Sequence, residues 1–175
     1  MTTNVTDQDL KLILESYKAW RFLNSTLSYF ASRTVNFPEA ISESLCCYSL
    51  GYSWHNKVNT KLSGDGTGPN GELIEIKATS NFHSDLTSFS PDTRFDILIF
   101  ARLDTNTNHL HIYNMGMNFS QFQNIQVNST QTVYAQQQQG KRPRLSLINQ
   151  INQLHLQPVI VIDLNQLALQ LGIQL

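Results

Sequence analysis

A glycine-rich turn followed by an apolar strand stands at residues 63–78, which read Ser-Gly-Asp-Gly-Thr-Gly-Pro-Asn-Gly-Glu-Leu-Ile-Glu-Ile-Lys-Ala. Glycine, proline and asparagine crowd the first part, so no helix can continue through it. In the second part apolar and charged residues alternate, which predicts a strand with Ile74 and Ile76 on one face and Glu75 and Lys77 on the other. One face suits a hydrophobic core and the other suits chemistry.

Two helices are predicted before this strand. Thr6 and Asp9 resemble a capping box, and apolar residues then recur at helical spacing from Leu10 to Leu27. A second helix start at Asn36 leads into an apolar pattern that ends at Gly51.

Further strands and helices are predicted around and after it. Residues 94–103 include the continuous apolar run at 97–100, which is typical of a central strand covered on both faces. The order of elements predicts an α/β or α+β fold in a single domain over residues 1–175. The remaining predicted elements are a polar loop at 57–71, the strand at 72–78, a hairpin loop at 104–108, a strand at 109–115, a flexible glutamine tract at 136–139, a helix at 145–154, a strand at 159–162 and a helix at 165–171.

The composition favours a cytoplasmic protein. No apolar run approaches the roughly 20 residues of a membrane helix, and the first residues lack the basic and apolar blocks of a signal peptide. Cys46 and Cys47 are adjacent, cannot easily reach disulfide geometry with each other, and are expected to be buried thiols. A zinc site is not expected, because no other Cys or His lies at ligand spacing.

The charge distribution says more than the net charge of -1. No charged residue occurs from Thr105 to Gly140, and Lys141, Arg142 and Arg144 then follow as a cluster. Such a surface could approach DNA phosphates with the cluster as its anchor. The alternative is a compositional drift towards asparagine and glutamine without a function.

Asp65, Glu75 and Lys77 have the composition of a metal-dependent phosphodiesterase site. Two converging carboxylates are hard oxygen ligands suited to Mg²⁺. Lys77 could orient or help to deprotonate the attacking water and offset the charge on the phosphate. The alternative is a solvent-facing ion pair on an edge strand. A second match to the short pattern, Asp9-Leu10-Lys11, lies in a predicted helix, where positions i and i+2 diverge.

The spacing of Asp65, nine residues and then Glu75-Ile76-Lys77 resembles the type II restriction endonucleases of the PD-(D/E)XK nuclease superfamily. Segments 36–43, 85–91 and 141–146 also resemble blocks of small restriction enzymes. One departure is Gly64, which stands where the family's motif has proline. It leaves the assignment of Asp65 open, with Asp85 as the reserve candidate.

The resemblance implies a restriction-endonuclease-like fold, a central mixed β-sheet flanked by helices, and Mg²⁺-dependent hydrolysis of double-stranded DNA that leaves 5′-phosphate ends. Mn²⁺ is expected to substitute. Asp65, Glu75 and the backbone carbonyl of Ile76 would hold the metal, and Lys77 would complete the catalytic set. Glu43 is either an additional outer-shell or metal carboxylate or a solvated helix residue.

Three groups of polar side chains are candidates for DNA contact. Short hydroxyl and amide side chains suit phosphates and base edges, and arginine can pair bidentately with guanine. The alternative for each is a loop residue satisfied by water. The candidates are Ser80, Asn81 and His83, then Thr87, Ser88 and Ser90, and finally Lys141, Arg142 and Arg144.

A homodimer is expected, because a two-fold axis matches the two scissile phosphates of a symmetric DNA site. The first helix, with Trp20, Phe22 and Leu23, is the candidate interface, although these residues could instead pack into the chain's own core. A cognate DNA methyltransferase is expected in the same system, but not as a bound subunit. Two other functions stay open: a repair or junction-resolving nuclease of the same superfamily, and a non-catalytic DNA-binding module.

Overall fold

The helices and strands fall within residues 5–55 and 64–175, which a computed structural model describes. The helices are α1 (Asp7–Leu27), α2 (Glu39–Leu50), α3 (Phe119–Gln123), α4 (Val133–Gln138), α5 (Leu147–Leu154) and α6 (Leu164–Gln170). The strands are β1 (Ser53–Trp54), β2 (Gly66–Thr67), β3 (Leu73–Thr79), β4 (Thr87–Ser88), β5 (Ile97–Asp104), β6 (His109–Asn114), β7 (Gln126–Asn128), β8 (Gln131–Thr132), β9 (Arg144–Leu145) and β10 (Ile160–Asp163).

The two N-terminal helices begin and end where the sequence predicts. Thr6 and Asp9 form a capping box, in which the Thr6 hydroxyl accepts from the Asp9 backbone N–H and the Asp9 carboxylate accepts from the Thr6 N–H. Helix α2 begins directly after Pro38, and Gly51 ends it at a φ of 70°. Glycine adopts this left-handed conformation without the strain that a Cβ would add.

The main sheet is mixed, with strand order β1-β2-β3-β5-β6-β10. Strands β3 and β5 are parallel and in register with Glu75 opposite Leu98, whereas the other neighbours are antiparallel. Parallel neighbours need a long crossover, usually a helix. Here the crossover is residues 80–96, which contain only the short strand β4. It passes over the sheet as an irregular segment and later forms one wall of a groove.

Both faces of the sheet are covered. Helices α1, α2 and α6 pack on one face, which we call the first core, and α3, α4 and α5 help to form the second core on the other. Strand β5 serves both, because Ile99 belongs to the first core while Leu98 and Phe100 belong to the second. The predicted central strand and the predicted restriction-endonuclease-like architecture are therefore confirmed.

Several predictions about individual segments have a definite outcome. Cys46 and Cys47 are buried free thiols, as predicted. The glutamine tract at 136–139 is not flexible: it lies largely in α4, where Thr132 caps the helix and Gln137 is buried. Composition misled because Val133, which precedes the tract, is fully buried in the second core and anchors the helix. The predicted polar loop at 57–71 lies partly outside the described residues.

The predicted interface residues of α1 separate. Trp20 is wrong as a surface residue, because it is 5% exposed and its indole N–H donates to the backbone carbonyls of Val35 and Asn36. Phe22 is 75% exposed and Leu23 is 44% exposed. Across the described ranges, no helix is both long and apolar enough to cross a membrane.

Candidate active site

Strand β3 places adjacent side chains on opposite faces of the sheet, as its alternation predicts. Ile74 and Ile76 are buried in the first core. Glu75 and Lys77 point the other way, and the Lys77 ammonium lies 5.8 Å from the centroid of the Phe89 ring in the second core. The charged pair is therefore held between the sheet and the second core.

Asp65 lies beside the same strand through two backbone hydrogen bonds. Its N–H donates to the carbonyl of Ile74 at 2.8 Å, and its Oδ2 accepts from the N–H of Ile76 at 2.7 Å. Strand β2 pairs with β3 only as far as Gly66 opposite Ile74. The Asp65 carboxylate takes over at the edge of β3 where the short strand stops.

Gly64 explains the departure from the family's proline. Its φ of 74° is not available to proline, which is fixed near −65°. A Cβ at this position would lie 2.7 Å from Leu73 Cδ1 and 2.8 Å from the Ile74 carbonyl oxygen. Both the dihedral angle and the space require glycine before Asp65 in this turn.

Glu75 and Lys77 form a close ion pair, with Lys77 Nζ 2.6 Å from Glu75 Oε1. Glu75 is only 7% exposed. Burial raises the pKa of Glu75; the ammonium of Lys77 opposes this rise and the charge of Asp65 adds to it. Burial lowers the pKa of Lys77, but the charges of Glu75 and Asp65 outweigh burial, so the pKa of Lys77 lies above its usual value.

Asp65 shares this environment. Burial raises its pKa, while the Lys77 charge and the hydrogen bond from Ile76 oppose the rise. Two carboxylates thus lie in one desolvated region with a single ammonium close by. A cation added between them would relieve the excess negative charge.

Glu43 reaches the same region from α2. The Trp54 indole N–H donates to its Oε2 at 3.3 Å. Burial raises the pKa of Glu43 to about 7, and the negative charge of Asp65 contributes to the rise. Glu43 is therefore a partly buried carboxyl facing the site, and the alternative of a solvated helix residue is wrong.

His55 is a residue of this site that the sequence did not indicate. Its ring Nδ1 lies 3.2 Å from the Gly64 carbonyl oxygen and its Nε2 lies 2.6 Å from the Thr67 hydroxyl. Its backbone N–H also donates to the carbonyl of Asp65. Because a carbonyl only accepts, Nδ1 carries a hydrogen. His55 therefore holds the turn on both sides of Asp65, which no spacing pattern could reveal.

An open groove of about 1010 Å³ adjoins the strand. Ile76 and Lys77 line it, whereas Asp65 and Glu75 contact those two residues without lining it. The groove brings together predicted DNA contacts from two distant segments: Ser80, Asn81, His83, Thr87 and Ser88 from the crossover, and Arg142 from the basic cluster.

Other predicted contacts lie outside this lining. Ser90, Lys141 and Arg144 are exposed but do not line the groove. Of the uncharged region at 105–140, only Thr105 and Asn106 reach it. The groove also contains the carboxylates of Glu39, Asp85 and Asp104, so it is not the acid-free surface that the charge pattern suggested.

Asp85 is wrong as a reserve for Asp65. Its two oxygens accept four hydrogen bonds, from the hydroxyls of Thr87 and Ser146 and from the backbone at the start of α5. Its lone pairs are committed to protein donors, which leaves it unsuited to hold a metal.

The donor set at Asp65 and Glu75 fits Mg²⁺. Among the described residues no three His, Cys, Asp or Glu side chains form a metal-binding cluster, so a metal here would have two carboxylates and complete its shell elsewhere. Ile76 lies beyond the end of β2, and its N–H faces Asp65, so its carbonyl points to the same open edge. Mg²⁺ commonly takes one or two carboxylates and keeps several waters.

Comparison with known proteins agrees with this architecture. A family described as the Bsp6I restriction endonuclease matches residues 5–154. The type II restriction enzyme Bsp6I of Bacillus sp. (strain RFL6) is 42% identical over 153 residues, which cover 86% of this chain and 86% of that enzyme. The match spans α1 through α5 and so includes Asp65, Glu75, Lys77 and the groove. The chain belongs to the Bsp6I restriction endonuclease family.

Proposed function

We propose that this protein is a type II restriction endonuclease that cuts both strands of a specific DNA sequence in a Mg²⁺-dependent reaction and leaves 5′-phosphate ends. The observation that carries the proposal is the convergence of Asp65, Glu75 and Lys77 at the open edge of β3, beside a groove that Arg142 also lines. The identity to a type II restriction enzyme gives the reaction class.

Asp65, Glu75 and the carbonyl of Ile76 would hold the metal. When bound, Mg²⁺ lowers the pKa of a coordinated water and offsets negative charge on the phosphate. The water oxygen attacks phosphorus and the bond to the 3′ oxygen breaks, so the phosphate stays on the 5′ end. Glu43, close enough for Asp65 to raise its pKa, would act in the outer shell.

Lys77 would act as a positioned ammonium. Its raised pKa keeps it protonated at neutral pH, and Glu75 fixes the position of Nζ at 2.6 Å. A protonated amine can orient the attacking water and offset charge on the phosphate, but it cannot accept a proton. Of the two roles considered for this lysine, the structure favours orientation over proton abstraction.

DNA would lie along the groove with its backbone close to Lys77. Arg142 would anchor a phosphate or pair with guanine, and the hydroxyls and amides of the crossover would contact phosphates or base edges. Because the groove also contains carboxylates, binding would rely on these particular contacts more than on bulk charge.

A homodimer would supply the second active centre. Phe22, Tyr29 and Phe30 near the end of α1 are 75%, 87% and 76% exposed, which is apolar surface available to a second copy. Sedimentation at micromolar concentration, with and without cognate duplex, tests this assembly. A monomer under both conditions would leave sequential nicking by single chains.

The decisive test is incubation of unmethylated phage DNA with the purified protein and Mg²⁺. Discrete bands support restriction, a smear indicates an unspecific nuclease, and no cutting favours a DNA-binding module. EDTA should stop cleavage, Mg²⁺ or Mn²⁺ should restore it, and full activity after exhaustive chelation would contradict the metal site. DNA modified by the methyltransferase expected in the same system should resist cutting.

A further inference from the structure

Asp85 joins the two segments that supply the groove with predicted DNA contacts. Its Oδ1 accepts from the Ser146 hydroxyl at 2.7 Å and from the Ile148 N–H at 3.0 Å. Its Oδ2 accepts from the Thr87 hydroxyl at 2.7 Å and from the Leu147 N–H at 2.9 Å. One carboxylate thus binds the crossover to the start of α5, about 60 residues later in the chain.

A short sheet adds a second connection beside this carboxylate. Strands β4 and β9 pair with Thr87 opposite Leu145 and Ser88 opposite Arg144. The Phe89 N–H then donates to the Pro143 carbonyl at 3.0 Å. Arg142 follows directly, so its backbone position relative to Thr87 and Ser88 depends on this local framework.

We propose that Asp85 is a positioning residue for DNA recognition: it fixes the 80–90 segment and the 141–146 segment relative to each other so that both read one DNA site. This inference rests on the proposed function. Asp85 would not contact DNA itself, because its lone pairs already accept from the protein. The same four donors offset its negative charge, which explains how a carboxylate can line a DNA-binding groove.

The arrangement requires a carboxylate rather than an amide. Each oxygen of Asp85 faces a backbone N–H, that of Ile148 at Oδ1 and that of Leu147 at Oδ2. An asparagine would turn its NH₂ group towards one of these N–H groups in either orientation. Asp85→Asn therefore loosens the junction with almost no change in side-chain volume.

The experiment compares the wild-type protein with Asp85→Asn and with the matched control Asp92→Asn, which removes the same charge from an exposed position of the crossover. The wild-type cleavage site is first mapped on phage DNA. Binding is then measured in Ca²⁺ on a duplex with that sequence and on a scrambled duplex of the same composition. Backbone hydrogen exchange at Leu147 and Ile148 reports whether the junction has opened.

We expect Asp85→Asn to speed exchange at Leu147 and Ile148 and to lower the ratio of cognate to scrambled affinity by about tenfold, the effect of losing one charge-assisted hydrogen bond. The control should leave both unchanged. A folded Asp85→Asn protein with faster exchange at those amides but an unchanged affinity ratio would overturn the inference, and so would unchanged exchange at both amides. A purely structural role would lower Tm without changing the ratio.

Ser146→Ala provides a second variant if Asp85→Asn does not fold. It removes one of the four donors, and we expect a decrease of about threefold in the same ratio, as for a weaker hydrogen bond. An unchanged ratio would overturn the inference here too. Failure of the wild-type protein to bind or cut DNA would instead refute the proposed function, so the two failures are distinguishable.

Discussion

The two faces of β3 carry opposite chemistry on one backbone. Ile74 and Ile76 pack into the first core, while Glu75 and Lys77 form an ion pair on the other face. Burial does not separate them, because Glu75 is 7% exposed and Ile76 is 3% exposed. What differs is the free energy of burial: it stabilises the isoleucines, whereas each charge loses hydration that one partner only partly replaces.

A desolvated ion pair is weak evidence for stability, since well-packed apolar residues of similar volume often do as well or better. The pKa of Glu75 and that of Asp65 are raised by burial, so the folded protein holds these carboxylates at a cost. This cost is expected where carboxylates await a cation and a phosphate. The contrast between the two faces is therefore a contrast between stability and function, and mutations can test it.

The largest expected effect is catalytic. Lys77→Ala or Glu75→Ala should lower the cleavage rate by about 10²- to 10⁴-fold while the protein stays folded, because these groups face the reaction and not the core. Initial rates on phage DNA and the Tm of each variant measure the two effects. Lys11→Ala is the matched control, since Asp9-Leu10-Lys11 repeats the short pattern on the exposed side of α1. Cutting by Lys77→Ala at the wild-type rate would sink the catalytic assignment.

The opposite face should respond in stability. Ile74→Ala should lower the free energy of unfolding by roughly 2–5 kcal/mol, because it opens a cavity in a fully buried part of the first core, whereas Ile74→Val should lower it by roughly 0.5–1.5 kcal/mol. Urea titration gives both values. At a temperature where the variant is folded, its cleavage rate should stay near that of the wild type. A small loss of stability with a large loss of activity would reverse the contrast.

The sequence predicted β3 and its faces because alternation is a local signal that packing on both sides reinforces. It also predicted that β5 is central, since only a strand covered on both faces tolerates a continuous apolar run. Asp65 could be chosen over Asp85 only by spacing. The structure separates these aspartates by their hydrogen bonds, which join residues far apart in sequence and are invisible to pattern analysis.

Three features could not be predicted for the same reason. Trp20 lies on a helical stripe, but whether the stripe faces the chain's own core or a second copy depends on the segment at 35–36 that its indole N–H reaches. The glutamine tract has no helical pattern of its own and depends on Val133 for its anchor. His55 acts on the turn around Asp65 through tertiary contacts alone.

Glu43 lies between the two faces, and its pH dependence sharpens the comparison. Its pKa rises from 4.5 to about 7 on folding, so the folded state holds this proton more tightly. Stability from this group is therefore complete below about pH 4.5 and is lost as pH rises through about 7. In EDTA, Glu43→Gln should raise the free energy of unfolding at pH 8 by roughly 2–3 kcal/mol and change it little at pH 4.5. The exposed Glu15→Gln is the control, and equal shifts at both pH values would contradict a buried, ionised Glu43.

The smallest expected effect lies across the groove, where the functional face extends from Lys77 to Arg142. If Arg142 contacts a phosphate, Arg142→Ala should lower the slope of log affinity against log salt by about one unit on every DNA; if it pairs with guanine, it should cost roughly 1–3 kcal/mol on the cognate sequence only. Arg144→Ala is the informative comparison, because Arg144 is two residues away and exposed but does not line the groove. Titrations on cognate and random duplexes over a range of salt concentrations separate the outcomes. A larger effect from Arg144 than from Arg142 would place DNA outside this groove, and the functional face would then end at β3.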